Sequence, residues 1–147
     1  MPNASTQSDI RQRPPRVLIV EDDENIAELL AIELKKAGYQ VNVANDGAEA
    51  LTIALPALPD VIVLDLAMPN LDGFGFLARR RSYATVAKAP VIVLSAHQRA
   101  GDVTRALGLG AADYMTKPVD IPRLLRRLNL LLPAEIRVTR RATAVVW

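Results

Sequence analysis

A chain of 147 residues, half of them apolar and 23% charged, is sized for one domain with its own core and has the composition of an ordinary soluble globular protein. Cysteine is absent, which excludes disulfides and thiolate metal sites, no apolar run approaches the roughly 18 residues of a membrane span, and the polar start has no secretory apolar segment. The pI near 9.2 suggests nucleic acid, but Arg11, Arg13 and Arg16 face only Asp9 at one end, and Arg137, Arg140 and Arg141 only Glu135 at the other, so the basicity belongs to the ends and residues 17–132 are slightly acidic.

Residues 1–15, rich in Ser, Gln, Asn, Pro and Arg, read as a mobile leader. Arg16 to Val20 is a first buried strand, followed by the acidic run Glu21-Asp22-Asp23-Glu24. Ile26, Leu29, Leu30, Leu34 and Ala37 recur at helical spacing, and Gly38 ends that helix. Tyr39 to Ala44 alternates as a strand near a sheet edge does, and Asn45-Asp46-Gly47 turns into a short helix closed by Pro56 and Pro59. Val61 to Leu64, apolar on both faces, is a central strand that delivers Asp65 to its far end. A helix over 73–82 carries Phe74, Phe76 and Leu77 inward and Arg79, Arg80 and Arg81 at its last turn, where cations suit the helix dipole. Pro90 to Leu94 is a fourth strand ending at Ser95, a more polar helix follows over 99–108, and Asp113 to Thr116 is a short fifth strand before Lys117-Pro118. Asp120 caps a last helix to about Leu132, with Leu124, Leu125, Leu128, Leu131 and Leu132 turned to the core. Five rounds of strand then helix, joined by short connections, predict a doubly wound α/β fold of five parallel strands and five helices. Residues 133–147 are expected to form a flexible tail.

Such sheets place their chemistry at the carboxyl ends of the strands. Four ends converge there with polar residues: Glu21, Asp22 and Asp23, then Asp65, Ser95 and Lys117. Carboxylates crowded together raise one another's pKa until one takes a proton or a cation arrives, and a hard divalent ion such as Mg²⁺ suits oxygen ligands beside a phosphate. Lys117 adds a positive charge and Ser95 a hydroxyl, both complementary to an oxyanion. Together they describe a site that accepts a phosphoryl group onto a carboxylate.

The chain resembles the receiver domains of two-component response regulators. The likeness rests on Val17-Leu18-Ile19-Val20-Glu21-Asp22-Asp23, on Asp60-Val61-Ile62-Val63-Leu64-Asp65-Leu66-Ala67-Met68-Pro69 with Asp72-Gly73, on Pro90-Val91-Ile92-Val93-Leu94-Ser95-Ala96, and on Gly110-Ala111-Ala112-Asp113-Tyr114-Met115-Thr116-Lys117-Pro118. Four blocks in order, with the acid pair, Asp65, Ser95 and Lys117 successively 43, 30 and 22 residues apart, cover residues 16–132. The resemblance implies a flavodoxin-like sheet of order 2-1-3-4-5. It implies that Asp65 takes a phosphoryl group from the phosphohistidine of a sensor histidine kinase or phosphotransfer protein. Glu21, Asp22, Asp65 and the carbonyl of Ala67 would hold Mg²⁺, Lys117 would pair with phosphoryl oxygens through a cis Lys117-Pro118 bond, and Ser95 and Tyr114 would be the switch pair. Asp23 falls outside the metal pair and would cap the first helix. Ala67 and His97 occupy positions that tune the lifetime of the acyl phosphate.

A cytoplasmic signalling domain is the expected role, with a downstream protein partner, no direct nucleic-acid or membrane binding, and a homodimer through the fourth helix, fifth strand and fifth helix. Its only catalysis would be its own phosphotransfer and autodephosphorylation. An Mg²⁺-dependent aspartyl-phosphate phosphatase is the alternative, but its second acid two residues after the nucleophile is here Ala67. A flavodoxin-like ligand module is another, but Glu21-Asp22-Asp23-Glu24 would repel a phosphate at the first loop.

Overall fold

The computed structural model describes residues 13–68, 72–96 and 99–136. Five strands, β1 (Arg16–Val20), β2 (Gln40–Ala44), β3 (Val61–Asp65), β4 (Val91–Ser95) and β5 (Asp113–Thr116), form one sheet in the order β2-β1-β3-β4-β5. Every pairing is parallel, with Val20 beside Leu64, Asp65 beside Leu94 and Ser95 beside Thr116. The expected fold class and strand order are therefore met. Helices alternate with the strands as α1 (Glu24–Lys36), α2 (Gly47–Ala57), α3 (Gly73–Arg80), α4 (Ala84–Ala87), α5 (Ala100–Gly108) and α6 (Ile121–Leu131). The sequence suggests five helices; α4 is the addition, a single turn too short to show helical periodicity and buried only at Val86.

Strands β1, β3 and β4 lie inside the sheet with both faces covered, which is why their sequences are apolar without alternation. Leu18, Val20, Ile62, Leu64, Val91 and Val93 pack against Leu51 of α2, Phe76 and Leu77 of α3 and Ala106 of α5. Val17, Ile19, Val61, Val63, Ile92 and Leu94 pack on the other face against Leu30 and Leu34 of α1 and Leu124 and Leu128 of α6. Aspartates start four of the helices: the side chains of Asp23, Asp46, Asp72 and Asp120 each accept from a backbone N–H of the first turn. Asp23 thus caps α1 as expected. Pro56 falls in the last turn of α2, where one missing N–H is tolerated, and the chain leaves through Leu58 at φ 49°.

Three expectations need correction. Leu29, assigned to the core side of α1, is 52% exposed, because Leu30 and Leu34 already occupy the buried stripe. The leader does not stay free up to residue 15: Arg13 makes a two-pronged ion pair with Asp60 at 2.8 and 3.0 Å, and the Pro15 carbonyl accepts from Gln40 N. The body does not stop at Leu132 either, since Ala134–Ile136 forms a 3₁₀ turn that buries Ile136 in the core against α1 and α6. Residues 1–12, Pro69, His97 and the tail over 137–147 lie outside the described residues.

Candidate functional site

Because all five strands point the same way, their carboxyl ends share one edge of the sheet. Glu21 follows β1 and Asp65 ends β3 beside it, the register pairing Val20 with Leu64 just before them. Ser95 ends β4, and the Lys117 backbone N–H donates to its carbonyl at 2.8 Å, which ties the start of the β5 loop to β4. The Lys117–Pro118 peptide bond is cis, as expected.

Glu21, Asp22 and Asp65 each present a carboxylate oxygen within 4.8 Å of the others. Glu21 and Asp65 are buried, at 2% and 6% exposure, while Asp22 is open to solvent. Lys117 closes the group. Its Nζ donates to Glu21 Oε1 at 2.6 Å and lies 3.5 Å from Asp65 Oδ1. The Asp23 N–H reaches Glu21 Oε2 at 3.4 Å, and the Ala67 N–H reaches Asp65 Oδ1 at the same distance.

These charges do not balance. Burial and the neighbouring Asp65 carboxylate push Glu21 up to about 7, and Lys117 only partly opposes them. Burial works against the Lys117 charge too, but the hydrogen bond to Glu21 and the field of Asp65 outweigh it and hold the ammonium above its ordinary value. An all-oxygen cluster with excess negative charge is the donor set that a hard divalent cation takes. Gly73 makes room for the end of β3: a Cβ there would lie 2.6 Å from both the Asp65 carbonyl oxygen and Leu66 Cα.

The structure brings Glu21, Asp22, Asp65, Ser95 and Lys117 to one edge, with Ala67 on the adjoining loop. Tyr114 stands on β5, partly buried against the α2–α3–α5 core. Arg80 was not singled out from its neighbours by sequence reasoning. It is 4% exposed, and its guanidinium donates to the carbonyls of Val86, Ala87, Ala89 and Gly110. Burial, and then Arg81, lower its pKa. The spacing to Phe76 and Leu77, four and three residues earlier, is the signal that puts it on the inner face, unlike Arg79 and Arg81.

Residues 17–129 match the family described as "Response regulator receiver domain". The chain is 39% identical over 128 residues to the DNA-binding dual master transcriptional regulator RpaA of Synechocystis sp., covering 87% of this chain and 53% of that protein. It is 44% identical over 113 residues to the transcriptional regulatory protein KdpE of Mycobacterium tuberculosis, covering 77% and 49%. The chain therefore spans about half the length of these curated relatives. Among solved structures it is similar to the receiver domain of Francisella response regulator 1452, at 38% identity and a TM-score of 0.74 over 80% of this chain and 95% of that one. It is also similar to chemotaxis protein CheY4 of Vibrio cholerae, at 32% identity and a TM-score of 0.77 over 81% and 99%.

Proposed function

Since the chain belongs to the response regulator receiver domain family, we propose that Asp65 is its phosphoacceptor, charged from the phosphohistidine of a sensor histidine kinase or phosphotransfer protein. The observation that carries this is the meeting of Asp65 with Glu21, Asp22 and Lys117 at the carboxyl edge of the sheet. In the transfer, a bond forms between an Asp65 carboxylate oxygen and phosphorus while the donor's N–P bond breaks, leaving that electron pair on the imidazole nitrogen. Lys117, already 3.5 Å from Asp65 Oδ1, pairs with the phosphoryl oxygens. Glu21, Asp22, Asp65 and the main-chain carbonyl of Ala67 would hold Mg²⁺, which when bound offsets the charge of the carboxylates and of the phosphoryl group.

Ser95 and Tyr114 are the switch pair: the hydroxyl of Ser95 turns to the new charge, Tyr114 follows it inward, and the face made by α5, β5 and α6 changes its preferred arrangement. That face then engages a downstream protein. No catalysis beyond phosphotransfer to Asp65 and its autodephosphorylation belongs to this reading, and its setting is the cytoplasm. No helix of the described residues is long and apolar enough to cross a membrane.

Incubation with acetyl phosphate and Mg²⁺ tests the assignment. Intact-protein mass spectrometry should show the gain of one phosphoryl group, abolished by Asp65→Ala and by chelation of Mg²⁺. A gain that survives Asp65→Ala would overturn it.

A further inference from the structure

The flank of α1 that turns away from the sheet is not polar throughout. Leu29 and Ile32, three residues apart and so neighbours on the helix surface, are 52% and 45% exposed. Carboxylates edge this stripe. Glu28 stands one turn before Ile32 and Glu24 one turn before Glu28, both exposed and neither in an ion pair among the described residues, while Glu33 beside Leu29 faces Lys36 at 3.8 Å. The other large exposed apolar side chains are placed differently. Leu130 shares α6 with Arg123, Arg126 and Arg127, and Leu55, Leu58, Tyr83 and Leu107 belong to the helical layer on the opposite face of the sheet.

Ile136 brings the chain to the lower end of the same flank, since it lies in one core cluster with Leu34 of α1. Beyond it come Arg137, Arg140 and Arg141 with no acid among them, and then Ala144-Val145-Val146-Trp147. Along the helix axis Leu29 is about 7.5 Å from Leu34, and Glu24 about 15 Å. The residues from 137 to 147 reach about 16 Å at a helical rise and more than twice that when extended, so the whole stripe is within their range.

We propose that residues 137–147 dock on this flank of α1, with Arg140 and Arg141 against Glu24 and Glu28 and the apolar end over Leu29 and Ile32. Charge selects the place. The arginines of α6 repel a segment that carries three more, whereas the unpaired carboxylates of α1 attract it. Exposed ion pairs are weak singly, so the apolar contacts hold the segment and the arginines fix where it lies. The chain thereby supplies its own occupant for α1, and any other protein that used this flank would have to displace it. Nothing in this inference depends on the proposed role of Asp65.

Trp147 is the sole tryptophan of the chain, so its fluorescence reports on this segment alone. In the full chain its emission should be blue-shifted and its quenching by acrylamide roughly twofold weaker than in the double variant Leu29→Ser, Ile32→Ser. The pair Arg140→Glu, Arg141→Glu should also release the tryptophan, and adding Glu28→Arg to that pair should bring part of the protection back. Far-UV circular dichroism serves as the control for folding, which substitutions at exposed positions of α1 should leave unchanged. Equal quenching of Trp147 in the unaltered chain and in the variants would overturn the proposal, as would a charge swap that restores nothing. So would protection that grows with protein concentration, because the segment would then lie on a second copy.

Discussion

Glu21 carries an electrostatic conflict, a carboxyl at 2% exposure held beside another acid and a lysine. Its pKa in the folded, metal-free chain is about 7 against an ordinary 4.5, so the folded state binds a proton that the unfolded state has lost between those values. The stabilisation is present below about 4.5 and disappears as pH rises through about 7. In chelator-treated protein, the melting temperature should accordingly fall from pH 5 to pH 7.5, and Glu21→Gln should flatten that slope; equal slopes in the two proteins would refute the account. Glu21, Asp65 and Ser95 were legible because each falls where an apolar run ends, and Lys117 through the motif that carries the family resemblance. What the sequence could not convey is that Lys117 sits closer to Glu21 than to Asp65, since a lysine stem has many rotamers and only packing selects one.

Two elements owe their placement to single residues. The N-terminus of α3 approaches β3 so closely that Gly73 has no space for a methyl group. Gly73→Ala should force α3 outward, cost about 2–3 kcal/mol in urea unfolding, and slow phosphorylation by acetyl phosphate, because the displaced backbone is that of Asp65 and Leu66. At its other end α3 delivers Arg80, whose donors satisfy the carbonyls of Val86 and Ala87 in α4, that of Ala89 before β4 and that of Gly110 before β5. Arg80→Met should lower stability by about 2–4 kcal/mol, because several buried carbonyls lose their donor together, whereas Arg79→Met on the exposed flank should stay within about 0.5 kcal/mol. Chemical denaturation of the pair decides it. Helix α4 and this clamp escaped the sequence for one reason. Three consecutive arginines look alike until the rotation of the helix tells them apart, and a four-residue turn has no period to read.

For the molecule as a whole, the two-sided core follows from apolar runs without alternation and the strand order from the family resemblance, and the limits of the folded body follow from neither. Ile136 stands between Glu135 and Arg137, where no strand or helix period marks it as core, yet it is 4% exposed and belongs to the core cluster of Leu34 and Leu128. Ile136→Ala should destabilise the chain by about 2–3 kcal/mol in urea unfolding; an unchanged midpoint would place residues 133–136 outside the core. Arg13 at the other end escaped notice because its partner, Asp60, lies 47 residues away. Both attachments have a geometric consequence. Arg13 and Pro15 grip the starts of β3 and β2, and α6 runs back antiparallel to the sheet before Ile136 docks. The described chain thus begins and ends at the amino edge of the sheet, one strand length, roughly 17 Å, from Asp65. Residues 13 and 136 lie at the pole opposite Asp65, the proposed phosphoacceptor. Under the proposed function, a charge added at Asp65 would act on that pole through the shape of the body between them.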